Sequence, residues 1–262
     1  DAERAVEQYS RALAATPGSA IILERIADVY IEEGFQAQRR DDLELANAHF
    51  RAALARLQTL ARNNAKARVL VKQGVLYQLV NEYARALTAF RAALARDPGN
   101  QDACMRAAQL LFTQGDQAER AGAADEARNR YAEAAALLAN VVPNSRLQPE
   151  MLNFAAYVFA VSGTNLQTAE GLVTQALEHD DSNGAYLDTL GWIYYQRGEA
   201  EQALTKVQRA LELEGDDAVI IDHLGDIYLR LGQPEKARAL WRKSLQLDAD
   251  NKTVARKLQD GR

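Results

Sequence analysis

Apolar residues recur along most of this chain at i, i+3, i+4 and i+7, the spacing of one helix face, and no run alternates apolar and polar residues in strand fashion. Glycine and polar turn residues interrupt the pattern at short intervals, which predicts consecutive short helices packed in pairs. The pattern is sharpest from Gly184 to Asn251, where two segments superimpose at a period of 34 residues. Leu187 falls on Ile221, Leu190-Gly191 on Leu224-Gly225 and Tyr194 on Tyr228. Further along, Ala203 falls on Ala237, Val207 on Trp241 and Ala210 on Ser244.

A large apolar residue, then Leu-Gly, then Tyr, then Ala and an aromatic resembles the tetratricopeptide repeat. The resemblance implies an all-α fold: an α-solenoid of stacked helix-turn-helix repeats in a right-handed superhelix, a single domain over 1–262. One helix pair cannot bury its apolar face alone, so repeats stack and share a continuous core. Gly191 and Gly225 are expected where the second helix approaches closely, and Gly198 and Gly232 in the turns between helices.

The same slots segment the remainder. Residues 1–19 read as a half repeat, 20–66 as a long repeat, 67–100 as a standard one, and 101–148 as a long repeat plus linker. Then come repeats at 149–183, 184–217 and 218–251, with a capping helix at 252–262. In the long units Ala27 and Ala108 are assigned to the glycine slot, leaving seven extra residues before Ala46 and Ala127. The first long unit should reverse near Arg40-Asp41-Asp42. The stretch VVPNSRLQPE, with two prolines, reads as a hinge between halves. Because the chain opens in mid-unit on Asp1, it reads as part of a longer solenoid. Val6, Tyr9 and Leu13 are then expected on an uncovered apolar side, a route to self-association of an otherwise monomeric chain.

Composition narrows the function. The net charge of −5 argues against a nucleic-acid binder relying on phosphate contacts. No apolar run is long enough to span a bilayer. His49, His179 and His223 form no HExxH arrangement, and glycine-rich phosphate loops and nucleophile elbows are missing. A metal between His223, Asp222 and Asp226 is disfavoured, because the histidine points about 100° away from Asp222 on a helix. Cys104, the only cysteine, sits in a packing slot and reads as a core residue. No enzyme, cofactor or metal site is expected.

The resemblance places the binding surface on the concave face, lined by the first helix of each repeat. That stripe carries Glu24, Asp28, Arg68, Val71, Val75, Gln78, Met105, Gln109 and Phe112 in the front half. In the back half it carries Asn153, Tyr157, Asp188, Trp192, Tyr195, Asp222, Asp226 and Leu229. From 149 to 251 the chain has 8 Lys and Arg against 17 Asp and Glu, so this half is strongly acidic. The candidate partner site is therefore Asn153, Tyr157, Asp188, Trp192, Tyr195, Asp222 and Asp226: aromatic anchors among carboxylates, suited to a protein or peptide segment with apolar and basic residues. An edge near Arg39, Arg40, Arg120 and Arg128 is the alternative. The long acidic array also resembles bacterial envelope tetratricopeptide lipoproteins that act as adaptors, which favours a cell-envelope location over the cytoplasm. A regulatory module whose activity lies upstream and a self-assembling spacer remain as other readings.

Overall fold

The computed structural model describes residues 2–61, 65–142 and 147–260. Among the described residues the chain is entirely helical: α1 (Ala2–Ala15), α2 (Ala20–Arg39), α3 (Leu43–Ala61), α4 (Ala67–Leu79), α5 (Tyr83–Arg96), α6 (Gln101–Arg120), α7 (Ala124–Val141), α8 (Pro149–Ser162), α9 (Leu166–His179), α10 (Gly184–Arg197), α11 (Ala200–Glu214), α12 (Ala218–Arg230), α13 (Pro234–Leu247) and α14 (Lys252–Asp260). Two compact units are present, Asp1–Leu110 and Leu111–Arg262, and the division falls inside α6. The stretch expected to act as a hinge is internal to the second unit, and its residues 143–146 lie outside the described ones.

One device recurs through the helix pairs. A Cβ added at Gly115 would lie 2.6 Å from the ring of Tyr131, one at Gly191 2.5 Å from a methyl of Val207, and one at Gly225 2.5 Å from Trp241 Nε1. Gly34 with Phe50 and Gly74 with Phe90 repeat the contact. In every case the large residue follows its glycine by 16 positions. The first helix of each pair gives up its side chain there so that a ring or branched side chain from the second can seat against its backbone.

This corrects the slot assignment in the long units. The close approach is made by Gly34 and Gly115 rather than Ala27 and Ala108, each seven residues further on. Seven residues are close to two helical turns, so the face is preserved and the apolar spacing alone could not distinguish the two registers. The additional turns precede the glycine in α2 and α6. The reversals then come at Arg40–Asp42, with Asp41 at φ +62°, and at Ala121–Ala123, with Gly122 at φ +79°.

In the first unit the core runs from Leu23 and Ala27 through Phe50, Leu57 and Val69 to Leu76, all buried. Leu13 of α1 packs against this core instead of facing outward, while Val6 and Tyr9 are half-buried. In the second unit Ile193, Val207, Ile221, Ile227 and Trp241 are fully enclosed. Val254 of α14 is buried against Ala237 and Trp241, with Leu258 packed beside it, so α14 covers the last apolar face.

Gly115→Ala tests the packing device directly. The Tyr131 ring is buried and its hydroxyl is held at 2.7 Å by Glu119, so it cannot swing aside freely. A loss of about 1–3 kcal/mol is expected, read as a lower urea midpoint. An unchanged midpoint would show that the pair tolerates wider spacing.

Candidate functional site

The site lies within the second unit, where α8, α10 and α12 present successive first helices. Their phase is set locally. Pro149 occupies the first turn of α8, Asn183 caps α10 by accepting from the amide of Tyr186, and Asp217 caps α12 by accepting from the amides of Val219 and Ile220.

Six of the seven expected site residues gather around one that sequence reasoning set aside. His223 Nδ1 lies 2.9 Å from an oxygen of Asp188, and their side chains are 7% and 8% exposed, so this is a buried pair. The imidazole stacks on Trp192 at 4.0 Å, and Trp192 stacks on Tyr195 at 4.6 Å. The Arg230 guanidinium lies 3.7 Å above Tyr195. On the other side Tyr157 is tilted against His223 at 6.2 Å and meets Phe112 edge-on at 5.6 Å, and Phe112 contacts Tyr131 at 5.5 Å. The aromatic residues thus form a continuous ladder across the unit. Asn153 stands one turn before Tyr157 on α8.

Asp222 and Asp226 hold a single cation. Lys257 of α14 donates to both oxygens of Asp222 at 2.7 and 2.9 Å and to Asp226 at 2.8 Å. Burial, with Asp226 beside it, pushes the Asp222 carboxyl up to about 6, against the pull of Lys257. Burial alone would lower Lys257; the two carboxylates override it and hold its ammonium well above the usual lysine value. His223 behaves alike: burial would depress it, and the charge and hydrogen bond of Asp188 raise it.

A rule links these pairs. His223 follows Asp188 by 35 residues, Lys257 follows Asp222 by 35, and Arg230, which also donates to the Tyr195 carbonyl, follows Tyr195 by 35. At the α10–α12 and α12–α14 junctions the later helix therefore supplies a cation to the earlier one, one position beyond the 34-residue period. The first unit has its counterpart in Arg68 with Glu24 at 2.7 Å and Lys72 with Asp28 at 2.5 Å, both 44 residues apart. The signal was present in the sequence as acid-to-base spacings slightly longer than the repeat, and it assigns His223, Arg230 and Lys257 to the site.

The α14 helix also reaches the α6–α7 turn. Thr253 donates its hydroxyl to the Glu119 carbonyl, Arg256 donates to the Gly122 carbonyl at 3.3 Å, and Arg120 pairs with Asp248 at 2.7 Å. These contacts border an open cavity of about 220 Å³, lined by Phe112, Tyr131, Tyr157, Trp192, Asp222, His223 and Lys257 among others. Lys257→Met leaves two buried carboxylates unbalanced. It should loosen α14, with amide exchange across 252–260 at least about tenfold faster, equivalent to about 1.4 kcal/mol or more. Unaltered protection would mean that Val254 and Thr253 suffice to hold the helix.

Among the described residues no group of three or more His, Cys, Asp or Glu is placed to hold a metal, and no helix is long and apolar enough to cross a membrane. Cys104 is buried, which pushes its thiol up to about 11 and makes it a poor nucleophile. Of the alternative edge, Arg39 pairs with Glu32 in the first unit, and Arg128 with Asp125 and Arg120 with Asp248 in the second.

Comparison with known proteins agrees with this geometry. Tetratricopeptide repeat profiles match residues 79–124 and 218–251, the latter spanning α12 and α13. No curated protein sequence matches. Among solved structures, a tetratricopeptide repeat protein from Parabacteroides merdae aligns with a TM-score of 0.54 at 15% identity, covering 100% of this chain and 92% of its own. YrrB, described as a TPR protein with an unusual peptide-binding site, gives 0.51 at 17% identity over 77% of this chain and 96% of its own. PilW, a type IV pilus biogenesis factor, gives 0.52 at 17% over 88% and 98%. Tetratricopeptide repeats are thus matched at 79–124 and 218–251, and the fold is that of solved tetratricopeptide repeat proteins.

Proposed function

We propose that the chain is a non-catalytic scaffold that holds a protein or peptide segment against the concave face of the second unit, on Asn153, Tyr157, Asp188, Trp192, Tyr195, Asp222 and Asp226. One observation carries the reading. Asn153 Oδ1 and Trp192 Nε1 are buried polar atoms with no hydrogen-bond partner among the described residues and both lie on this stripe, where the first unit's stripe has one such atom, Gln78 Oε1. An orphaned buried group costs about 1–3 kcal/mol. Once the side chains that cover them move aside, a partner backbone offers the missing complements, an N–H for Asn153 and a C=O for Trp192. The carboxylates have a different role from the one their exposure in sequence suggested: with Lys257 and His223 already in place, they hold the face together and set its negative field. The peptide-binding site in the description of YrrB is a use of the same fold that this reading shares.

Photo-crosslinking from position 195 in the full chain identifies the partner, whose affinity is then measured against variants. Trp192→Phe keeps a ring on His223 and deletes the orphaned donor, so a several-fold loss is expected. Trp192→Ala should cost at least about tenfold, as expected for an aromatic anchor. Arg128→Glu should change little. Binding lost with Arg128→Glu and kept with both Trp192 variants would move the interface to the helix edge.

A further inference from the structure

The cavity of the second unit has a charge imbalance that the chain does not resolve. Counting Asp188 behind its wall, six carboxylates there meet Lys257, Arg120 and the imidazole of His223. Lys257 is shared by Asp222 and Asp226, Arg120 takes Asp248, and His223 takes Asp188. Glu119 accepts only the hydroxyl of Tyr131, at 2.7 Å, a neutral donor. The side chain of Asp116, half-buried on α6, makes no hydrogen bond or ion pair among the described residues and feels Arg120 only at longer range. Desolvation raises its pKa, with Glu119 and Asp248 adding to the effect of burial against Arg120.

The walls around these acids are aromatic. Phe112, Tyr131, Tyr157 and Trp192 all line the cavity. The Tyr157 hydroxyl makes no hydrogen bond among the described residues, and its proton is held by burial and by the field of Asp188, Glu119, Asp116 and Asp222. Ring faces attract organic cations electrostatically, and here they stand beside the half-buried Asp116 and the more exposed Glu119. A hard metal ion prefers a shell of oxygen ligands, which this arrangement does not supply.

We propose that this cavity is a binding site for a small organic cation, an alkylammonium or guanidinium group that pairs with Asp116 and Glu119 and lies against Phe112 and Tyr157. The cation can be a free amine or the end of a lysine or arginine side chain, since the recognising chemistry is the same. The site needs no protein partner, although it shares Tyr157 and Trp192 with the groove, so the two readings are separated by whether the small cation binds on its own.

The test titrates the full chain at low ionic strength with 1,5-diaminopentane and with Nα-acetyl-lysine methylamide, followed by amide chemical shifts and calorimetry. The Nε-acetylated lysine derivative serves as the uncharged control. Saturable binding of the charged probes is expected, with shifts centred on 112–119 and 157, and no binding of the control. Asp116→Asn, a half-exposed position whose change should leave the melting temperature unaltered, should weaken binding at least fivefold. Tighter binding of the diamine assigns the site to a free amine, and tighter binding of the lysine derivative assigns it to a side chain. Equal binding of the control, no saturation, or indifference to Asp116→Asn overturns the proposal. Partner capture that still depends on Trp192 would in that case leave the groove reading in place.

Discussion

Trp241→Ala should cost about 3–5 kcal/mol, the largest effect expected of any single truncation in the second unit. The indole is fully buried, fills the space left by Gly225, and donates from Nε1 to Asp226 at 3.1 Å. Val254 and Leu258 of α14 pack against it, so its removal opens a cavity and also withdraws support from the last helix. In a stacked array, stability is close to a sum of repeat and neighbour terms, and a terminal defect unfolds locally before the rest. Hydrogen exchange should therefore show α12–α14 losing protection while α8 and α9 retain theirs. A uniform loss across the unit would mean that the contacts made by α14 cause its repeats to fold as one block.

Asp188→Ala should come next, at about 3–5 kcal/mol, because it strands a buried imidazole beneath Trp192 without its counter-charge. Replacing both Asp188 and His223 by leucine should cost much less than the single change, since no unpaired charge is then enclosed. The pair also makes a pH signature. In the folded chain His223 has a pKa raised above the ordinary 6.5. Its contribution is fully present below that ordinary value and is lost as pH rises through the folded-state value. The urea midpoint of the wild-type chain should accordingly fall on going from pH 6 into the mildly alkaline range, and that of the double leucine variant should fall less. Equal slopes would show that the pair does not couple its protonation to folding.

Much of this was legible in the residues. The period of 34 and the order of apolar, glycine and aromatic slots gave the helix pairs of α10–α13, because close packing of two helices leaves few residue types at those positions. The long units were harder. An insertion of seven residues nearly restores helical phase, so Ala27 and Gly34 lie on one face, and only the fixed separation from Phe50 tells which of them meets the second helix. The stripe residues could be placed on the correct helices, but their partners could not. Asp222 and Asp226 read as free carboxylates because the base that occupies them lies beyond the last repeat, on α14. His223 was weighed against its neighbours on the same helix, whereas its true partner, Asp188, belongs to the preceding repeat.

The 35-residue pairing and the contacts made by α14 have opposite consequences for evolution by duplication. Excising 218–251 would bring Lys257 to the position His223 now holds, opposite Asp188, so a shortened array regenerates a charge pair at its new end. Repeat gain or loss is thus chemically permitted by the ladder. The contacts of Thr253 and Arg256 with the α6–α7 turn have no such tolerance, because they depend on how far the intervening repeats have curved. A copy added or lost between them would leave every repeat correctly paired and those contacts unable to form, fixing the repeat number by geometry rather than by the stability of any one repeat.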